Sequence, residues 1–336
     1  MISLKKILIF GATGNVGIYF TDYCKNKLSN EYEIIAIGRK NTSYFQDNKI
    51  QYINVDICKE EDFELIPTNN IYAIVNLAGI VPAYVKMYNP YEYVECNIMG
   101  SLRILEFARK NNVDRIIYTQ TWADLAGYWD KIDLLEPMMS RKLCYTGDHA
   151  LYSITKCTVL DMMKHYKEEY GIKDFIFRLP NIYLYNPRKT YYVNGIERPI
   201  GYRYMIDKAI RGQDIELWGD PEAYKDIIYV KDLCQMMYKA LFVNRDGGIY
   251  NAGTGIKTTL KEQIEGIITT FTPKNRISNI IYIPTKKSFT SFVMDIQNAR
   301  DELGYEPQYT YIDYLKDYKI EMEKKRFDDI WKDSKE

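Results

Sequence analysis

The sequence is poor in the side chains that most often build metal centres. Its 336 residues include only two histidines, His149 and His165, and six cysteines that are scattered without a C-x-x-C pair. These residues have neither the number nor the spacing of a His/Cys metal site. We therefore expect no bound metal, and we expect the cysteines to be reduced thiols, as is usual in cytosolic proteins.

The chain also lacks an excess of charge and a long apolar run. Its 45 basic and 45 acidic side chains cancel, so no overall field favours nucleic acid or an anionic membrane as a partner. No apolar run approaches the roughly 20 residues of a membrane-spanning helix. Lys5 and Lys6 precede an apolar run at residues 7–10, but this run is too short for a secretion signal and is typical of a buried strand. We expect a cytoplasmic protein.

Short apolar runs alternate with longer helical patterns through the first half of the chain. The predicted strands span residues 6–10, 33–38, 50–55, 73–78, 115–119 and 175–179, and the predicted helices span residues 15–28, 90–111 and 152–170. This alternation predicts an α/β protein whose parallel sheet is covered by helices on both faces. After Pro180 the pattern loosens, which indicates a smaller lobe, and the charged stretch 313–335 is predicted to be helical.

Three glycines stand between the first predicted strand and the first predicted helix, at positions 11, 14 and 17. Gly11 permits a tight turn, Gly14 lets the backbone approach a pyrophosphate, and Gly17 lets the helix pack closely on the strand. The amino-terminal end of the helix offers free N–H groups and a positive dipole to phosphates. This arrangement predicts a dinucleotide-binding site.

The G-x-x-G-x-x-G spacing resembles the short-chain dehydrogenase/reductase family, and the chain length resembles its extended branch, the NAD-dependent epimerases, dehydratases and reductases of nucleotide sugars. The resemblance covers about residues 5–320. It implies a doubly wound, parallel-sheet Rossmann fold with a smaller interleaved C-terminal substrate lobe. The implied units are an NAD(P)-binding domain at 1–180 and about 226–256, a substrate lobe at 181–225 and 257–320, and a charged helical tail at 321–336.

The same resemblance implies which residues bind the cofactor. They lie in the glycine-rich loop, after the later strands and on two helices: Gly11, Thr13, Gly14, Asn15, Val16, Gly17, Arg39, Asp56, Ile57, Leu77, Ala78, Gly79, Asn97, Thr119, Tyr152, Lys156, Pro180 and Ile182.

The end of the second predicted strand bears on the choice between NAD and NADP. An acidic residue there would bind the ribose hydroxyls of NAD and repel a 2′-phosphate. This chain has Gly38, followed by Arg39 and Lys40. Because a guanidinium suits a phosphate, NADP is the favoured cofactor and NAD is the alternative.

Tyr152 and Lys156 form a Y-x-x-x-K motif. A spacing of four places both side chains on one face of a helix, where the ammonium is expected to lower the pKa of the phenol. Such a tyrosine can act as an acid or a base, and the resemblance implies that the lysine also binds the nicotinamide ribose. The resemblance further implies a hydroxyl partner after the fifth strand, with Thr121 as the first choice and Thr119 as the second.

Two departures from the family pattern bear on the reaction. In the 4,6-dehydratases acidic residues closely follow the threonine, whereas here Trp122 and Ala123 follow it and Asp124 comes one place late. Dehydration is therefore disfavoured. A clear Cys/His pair for epimerisation at C3 or C5 is also missing, although Cys144 and His149 precede Tyr152 and could line the pocket.

The segments after residue 178 resemble the family's substrate-binding segments. The resemblance implies that Asn181 contacts the substrate and that Lys225 takes the place of an arginine that binds the substrate's pyrophosphate. A lysine lacks the bidentate grip of arginine. Three arginines in a tyrosine-rich insert within residues 181–225 could supply the missing phosphate contacts, namely Arg188, Arg198 and Arg203.

Together these features predict an NAD(P)-dependent epimerase or reductase that transfers a hydride on a nucleotide-activated sugar. The alternatives are a reductase of a non-nucleotide sugar or another ketone, and a non-catalytic NADP-sensing protein. The resemblance also implies a homodimer formed by the helices at 90–111 and 152–170. The apolar residues on these helices exceed what one sheet face needs, unless the tail from Tyr314 to Trp331 folds back over them.

Overall fold

The computed structural model describes residues 4–332. The strands are β1 (Lys5–Phe10), β2 (Tyr32–Gly38), β3 (Gln51–Asn54), β4 (Ile71–Asn76), β5 (Arg115–Thr121), β6 (Leu134–Leu135), β7 (Lys173–Leu179), β8 (Ile182–Tyr183), β9 (Thr190–Val193), β10 (Ile196–Pro199), β11 (Ile215–Trp218), β12 (Tyr224–Lys225), β13 (Ile228–Tyr229), β14 (Gly247–Asn251), β15 (Thr258–Thr259), β16 (Ile280–Ile283) and β17 (Val293–Met294).

The α-helices are α1 (Asn15–Lys27), α2 (Tyr44–Asp47), α3 (Pro90–Tyr93), α4 (Gly100–Lys110), α5 (Ala150–Tyr170), α6 (Gly201–Ile210), α7 (Val230–Phe242), α8 (Leu260–Phe271), α9 (Gln297–Leu303), α10 (Tyr311–Lys324) and α11 (Asp328–Lys332). Short 3₁₀ segments span Glu61–Leu65, Pro82–Tyr84 and Trp122–Tyr128. No described helix is long and apolar enough to cross a membrane.

Seven parallel strands form the central sheet, in the order β14-β7-β5-β4-β1-β2-β3. Successive apolar residues of β1 point to opposite faces, as the two-residue period of a strand requires. Ile7 and Ile9 join the core that contains residues of α1 and α7, whereas Leu8 and Phe10 join the core that contains residues of α4 and α5. The α/β class and the doubly wound parallel sheet predicted from the sequence are therefore confirmed.

The predicted helix 90–111 is helical without a break from Pro90 to Lys110, but not all of it is α-helix. Asn89 caps α3 by accepting a hydrogen bond from Tyr91 N at 3.2 Å. A π-helical segment (Val94–Met99) then separates α3 from α4. The π turn inserts extra backbone between the two helices, a feature frequent at functional sites, and it contains the predicted cofactor residue Asn97.

The C-terminal tail is neither one helix nor placed on the predicted dimer face. Lys325 adopts φ +50° and ends α10, and residues 333–335 of the predicted helix lie outside the described residues. Arg326 Nη1 lies 2.8 Å from Asp22 Oδ2, and the rings of Phe327 and Tyr19 are 4.9 Å apart. The tail thus packs against α1, on the face of the sheet opposite to α4 and α5.

Several two-stranded pairings build the region beside the carboxyl edge of the sheet: β8 with β13, β9 with β10, β11 with β16, and β12 with β15. The antiparallel pair β9 and β10 forms a hairpin whose Gly195 approaches Lys86 O, since a Cβ built on this glycine would lie 2.9 Å from that oxygen. The division into a cofactor domain and a substrate lobe stays a prediction.

Candidate active site

Most of the predicted cofactor residues follow the carboxyl ends of β1, β2, β3, β4 and β7 or lie on nearby helical segments, whereas Thr119 lies within β5 and Ile182 on β8. All strands of this sheet are parallel, so their carboxyl ends meet at one edge. Ligands of open α/β sheets bind at this edge. The fold therefore brings residues that are far apart in sequence to one cleft.

The glycine-rich loop has the geometry of a phosphate cradle. Gly11 adopts φ +77°, and a Cβ there would lie 2.7 Å from Ala78 N. A Cβ on Gly17 would overlap Gly11 O, so the amino-terminal turn of α1 sits directly on the end of β1. The N-cap residue Gly14 supplies no side-chain cap, which leaves N–H groups available to an anion. These features fit a dinucleotide pyrophosphate.

The loop after β2 lies beside the glycine-rich loop. A Cβ on Gly38 would lie 2.9 Å from Thr13 Oγ1, and the hydroxyl of Tyr52 lies 2.8 Å from Gly38 O and 2.6 Å from Lys40 O. Arg39 follows with its side chain exposed. The tyrosine thus fixes the backbone on both sides of Arg39. After β3, the carboxylate of Asp56 accepts a hydrogen bond from Cys58 N at 3.0 Å.

Asn97 joins three elements at the centre of the cleft. Its Oδ1 accepts a hydrogen bond from Ile80 N at 2.8 Å, and its Nδ2 donates to Thr155 Oγ1 at 3.1 Å. A Cβ on Gly79 would lie 2.9 Å from Asn97 Oδ1. Asn97 therefore holds the loop after β4 against α5, next to Lys156.

Tyr152 and Lys156 lie on the first two turns of α5, and Thr121 ends β5. The hydroxyl of Thr121 lies close enough to the phenol of Tyr152 to lower the pKa of the phenol. Lys156 is 6% exposed, and its Nζ lies 3.9 Å from the ring centroid of Tyr118. Thr119, the second choice for the hydroxyl partner, lies two residues earlier on the same strand. The contact with the phenol supports Thr121 in this role.

Burial controls the protonation of the two motif residues. Burial raises the pKa of Tyr152, while Thr121 opposes this shift. Burial also lowers the pKa of Lys156 to about 7. The net shift of the Tyr152 pKa is upward, opposite to the lowering expected from Lys156, because loss of hydration is the largest influence on the phenol and Lys156 is not among the groups that shift its pKa.

Asp124 does not face the substrate cleft as a free acid. Its carboxylate accepts bonds from Arg178 Nε at 2.9 and 3.1 Å. Arg178 Nη1 also donates to Pro137 O at 2.9 Å and to Asn251 Oδ1 at 3.0 Å. Asp124 and Arg178 are 0% and 1% exposed. This buried ion pair ties the end of β5 to β7 and β14.

The predicted substrate residues lie beyond this pair. Asn181 is exposed just after β7. The Nζ of Lys225 lies 3.8 Å from the ring centroid of Phe289, and burial lowers its pKa to about 8. A nearby phosphate would favour the charged form of this lysine and raise its pKa again.

The three arginines of the insert have different surroundings. Arg203 is buried, and its guanidinium donates to Asn186 O, so it has a structural partner. Arg198 lies on the exposed strand β10. Arg188 lies 4.6 Å from the ring centroid of Tyr84, and the hydroxyl of Tyr84 accepts a hydrogen bond from Asn15 Nδ2. Arg188 thus reaches the glycine-rich loop through Tyr84.

Sequence reasoning missed Tyr84 and Tyr118. Tyr118 was interpreted only as a strand residue, yet its ring lies under Lys156 and its buried hydroxyl has no hydrogen-bond partner within residues 4–332. Tyr84 bridges Asn15 and Arg188, which are 173 positions apart in sequence. Neither role has a local sequence signal. Within the described residues, no group of three or more His, Cys, Asp or Glu could hold a metal ion.

The fold and the cleft together define a dinucleotide-binding enzyme of the α/β class. The model of the NAD dependent epimerase/dehydratase family matches residues 7–253, and the chain belongs to this family. Its members of the extended short-chain dehydrogenase/reductase type are oxidoreductase-type enzymes, so the predicted enzyme class is confirmed.

Three relatives show the range of reactions among similar proteins. The UDP-glucose 4-epimerase of Thermotoga maritima, solved with UDP-glucose, has a TM-score of 0.74 and 22% identity, over 94% of this chain and 99% of that chain. The dTDP-glucose 4,6-dehydratase of Bacillus anthracis, solved with NAD, has a TM-score of 0.72 and 21% identity, over 95% and 97%. The dTDP-4-dehydro-6-deoxyglucose reductase of Escherichia coli is 23% identical over 79% of each chain.

Proposed function

We propose that this chain is an epimerase that acts on a nucleotide-activated sugar by transient oxidation of a ring hydroxyl. The observation that carries the proposal is the cluster of Thr121, Tyr152 and Lys156 beside the glycine-rich loop. A cofactor-sensing protein has no need of this cluster, which argues against the non-catalytic alternative.

Each residue of the cluster has a distinct role in the proposed reaction. Thr121 holds the reacting oxygen of the sugar next to the phenol of Tyr152. In the reducing direction Tyr152 gives its proton to that oxygen, and its raised pKa keeps the proton in place until then. In the oxidising direction the phenolate takes the proton back, and the ammonium of Lys156 stabilises it. The bound nicotinamide supplies the hydride acceptor and donor.

The buried pair of Asp124 and Arg178 supports epimerisation over dehydration. Elimination of water needs an acid that can reach the leaving hydroxyl. Asp124 is the acidic residue nearest to Thr121 in sequence, and both of its oxygens accept hydrogen bonds from Arg178. Using it as an acid would break a solvent-excluded ion pair, which is costly.

The substrate's nucleotide is proposed from the lysine at position 225 and from the relatives. Several neighbours were solved with or act on UDP- or dTDP-sugars. Lys225 is a partly buried cation with an aromatic neighbour and no acidic partner within residues 4–332, and it is suited to a phosphate of such a substrate. Asn181 would contact the sugar. A non-nucleotide ketone would leave this ammonium partly buried without a partner.

The cofactor is proposed to bind along the glycine-rich loop with its adenosine next to Arg39 and Asp56. A solved neighbour contains NAD. The preference for NADP rests on Arg39. Its side chain is exposed and follows Gly38 at the end of β2, where the 2′ position of the adenosine ribose would lie. No acidic residue stands at the end of β2 to repel a 2′-phosphate.

The test is to incubate the purified protein with UDP-glucose, UDP-N-acetylglucosamine or UDP-glucuronic acid and to follow the sugar by proton NMR. We expect conversion of at least one to its epimer, in large excess over any NADH or NADPH that forms. Formation of a 4-keto-6-deoxy sugar would contradict the proposal, as would turnover of free ketones alone.

A further inference from the structure

An acidic residue and a histidine directly precede the helix of the catalytic tyrosine. The Nδ1 of His149 lies 2.8 Å from Asp148 Oδ1. His149 is the N-cap residue of α5, and its backbone carbonyl accepts hydrogen bonds from the N and Oγ of Ser153 at 2.9 and 2.8 Å. Both the side chain and the backbone of His149 are therefore fixed.

The imidazole of His149 is more exposed to solvent than the residues around the phenol of Tyr152, and Tyr152 is itself partly exposed. The ring of His149 is 6.3 Å from the ring of Tyr152 in an edge-to-face arrangement. The His149 side chain is 52% exposed, whereas Thr121 and Tyr93, which interact with the phenol, are 7% and 3% exposed.

Asp148 selects the tautomer of the imidazole. Because its Oδ1 pairs with Nδ1, the neutral ring carries its proton on Nδ1 and presents Nε2 as the exchanging nitrogen. The other carboxylate oxygen, Oδ2, is buried and has no hydrogen-bond partner within the described residues. The carboxylate is thus placed to stabilise the imidazolium that forms when Nε2 takes a proton, as an acidic partner does in other His–carboxylate pairs.

A route for protons out of the site has a use only in a net reaction. In epimerisation, the proton that Tyr152 takes from the sugar hydroxyl returns to the same oxygen when the keto sugar is reduced, so no proton leaves. In net oxidation, a hydroxyl C–H and O–H become a carbonyl, the hydride goes to the nicotinamide, and the hydroxyl proton must leave through Tyr152. Net reduction requires the reverse.

We propose that Asp148 and His149 carry protons between Tyr152 and solvent, so that the chain also catalyses net oxidation or reduction of its nucleotide sugar with exchange of the cofactor. In the oxidising direction Tyr152 passes the proton to Nε2 of His149, directly or through one water, and the imidazolium releases it to solvent. The proposal rests on the proposed function, since it uses the same phenol and the same class of substrate.

The kinetic test compares two reactions in the same protein. With UDP-glucose as the probe, epimerisation is measured by NMR and net oxidation by the absorbance of reduced nicotinamide from added NAD or NADP. We expect His149→Ala to lower the ratio of net oxidation to epimerisation by at least about tenfold, and added imidazole to restore it. His165→Ala is the matched control, because His165 is the other histidine and lies further along α5 beside Tyr166 and Tyr170. An unchanged ratio, or a fall that imidazole does not reverse, would overturn the proposal.

A second test needs no substrate. With only two histidines in the chain, long-range proton–nitrogen NMR resolves both imidazoles, and His149→Ala assigns them. We expect the neutral ring of His149 to carry its proton on Nδ1, Asp148→Asn to alter this tautomer, and Tyr152→Phe to shift the Nε2 resonance. A proton on Nε2 in the unmodified protein would refute the relay. If the tautomer is as expected but no UDP-sugar is epimerised, the proposed function fails while the relay geometry stands.

Discussion

The Nε–H of Arg178 donates to both carboxylate oxygens of Asp124, with Nε 2.9 Å from Oδ1 and 3.1 Å from Oδ2, in a region from which solvent is excluded. The two residues are 54 positions apart, and their pairing decides that the acid nearest to Thr121 in sequence has a structural role. Burial raises the pKa of Asp124, while Arg178 opposes this shift.

Replacing one member of this pair should destabilise the fold strongly. We expect Asp124→Ala to lower the free energy of unfolding by about 3–5 kcal/mol, because Arg178 is left as an uncompensated buried charge. Urea denaturation followed by circular dichroism measures this. The matched control is Asp161→Ala, which removes the partially exposed pair with Arg141 and should cost at most about 1 kcal/mol. A stable Asp124→Ala protein that has lost only activity would instead assign Asp124 to the reaction.

Tyr152→Phe should abolish the reaction and leave the cofactor bound. The substitution removes the proton donor without changing the ring, so we expect a loss of about 10²–10⁴ in epimerisation rate, while calorimetry still detects binding of the cofactor. Tyr145→Phe is a suitable control because Tyr145 lies in the preceding loop and is 75% exposed. Wild-type turnover by the Tyr152→Phe protein would show that the catalytic assignment is wrong.

Binding of UDP should weaken as the pH rises through about 8. Burial lowers the pKa of Lys225 to that value, so its side chain is cationic below pH 8 and neutral above it, and its attraction for a phosphate is lost on the alkaline side. Calorimetric titration of UDP between pH 7 and 9.5 measures the effect, because this range extends about one unit or more on either side of the Lys225 pKa.

Two variants at position 225 distinguish the effect of the side chain's charge on UDP binding from the effect of its shape. Lys225→Arg should keep UDP affinity constant over the same range, because a guanidinium stays charged, and Lys225→Met should bind UDP weakly at every pH. Equal affinity of Lys225→Met and the unmodified protein would remove Lys225 from the substrate site.

Arg39→Ala should weaken the binding of NADP more than that of NAD. The exposed guanidinium follows Gly38 at the end of β2, where it would meet a 2′-phosphate but not a 2′-hydroxyl. Titration of both cofactors into both proteins measures the difference, with Arg198→Ala as a control on the exposed strand β10. Tighter binding of NAD than of NADP by the unmodified protein would reject the NADP preference and leave the fold assignment intact.

The predicted homodimer has less apolar surface available than the sequence indicated. Seven of the larger apolar residues within 90–111 and 152–170 are buried in their own subunit: Tyr93, Leu105, Phe107, Val159, Leu160, Met163 and Tyr166. Val94 and Ile154 remain 42% and 36% exposed. The tail packs on the other face of the sheet and leaves them uncovered.

Light scattering at micromolar concentration should give twice the chain mass of 39.6 kDa if the dimer forms through α5 and the π-helical segment. Val94→Glu together with Ile154→Glu should then give a monomer, whereas Met138→Glu, at a position that is 77% exposed elsewhere, should not. A charged residue at position 163 would not test assembly, because Met163 is 2% exposed and its replacement would disturb folding. A monomeric unmodified protein would reject the dimer.

The sequence alone determined the features that depend on short-range pattern. The strand–glycine–helix order at residues 6–28 predicted the phosphate loop, because three glycines at this spacing serve one local turn. The spacing of Tyr152 and Lys156 predicted that both lie on one helical face, since it matches one helical turn. The alternation of strands and helices predicted the parallel sheet, because a strand buried on both faces is apolar throughout.

Only the tertiary structure decided the features that depend on contacts between distant segments. No local pattern pairs Asp124 with Arg178, places the tail on α1, or brings Tyr84 between Asn15 and Arg188. The pKa of Tyr152 is raised instead of lowered, and this too depends on contacts between distant segments. The sequence shows that an ammonium is near the phenol, but the desolvation that raises its pKa depends on how many atoms from other elements surround it.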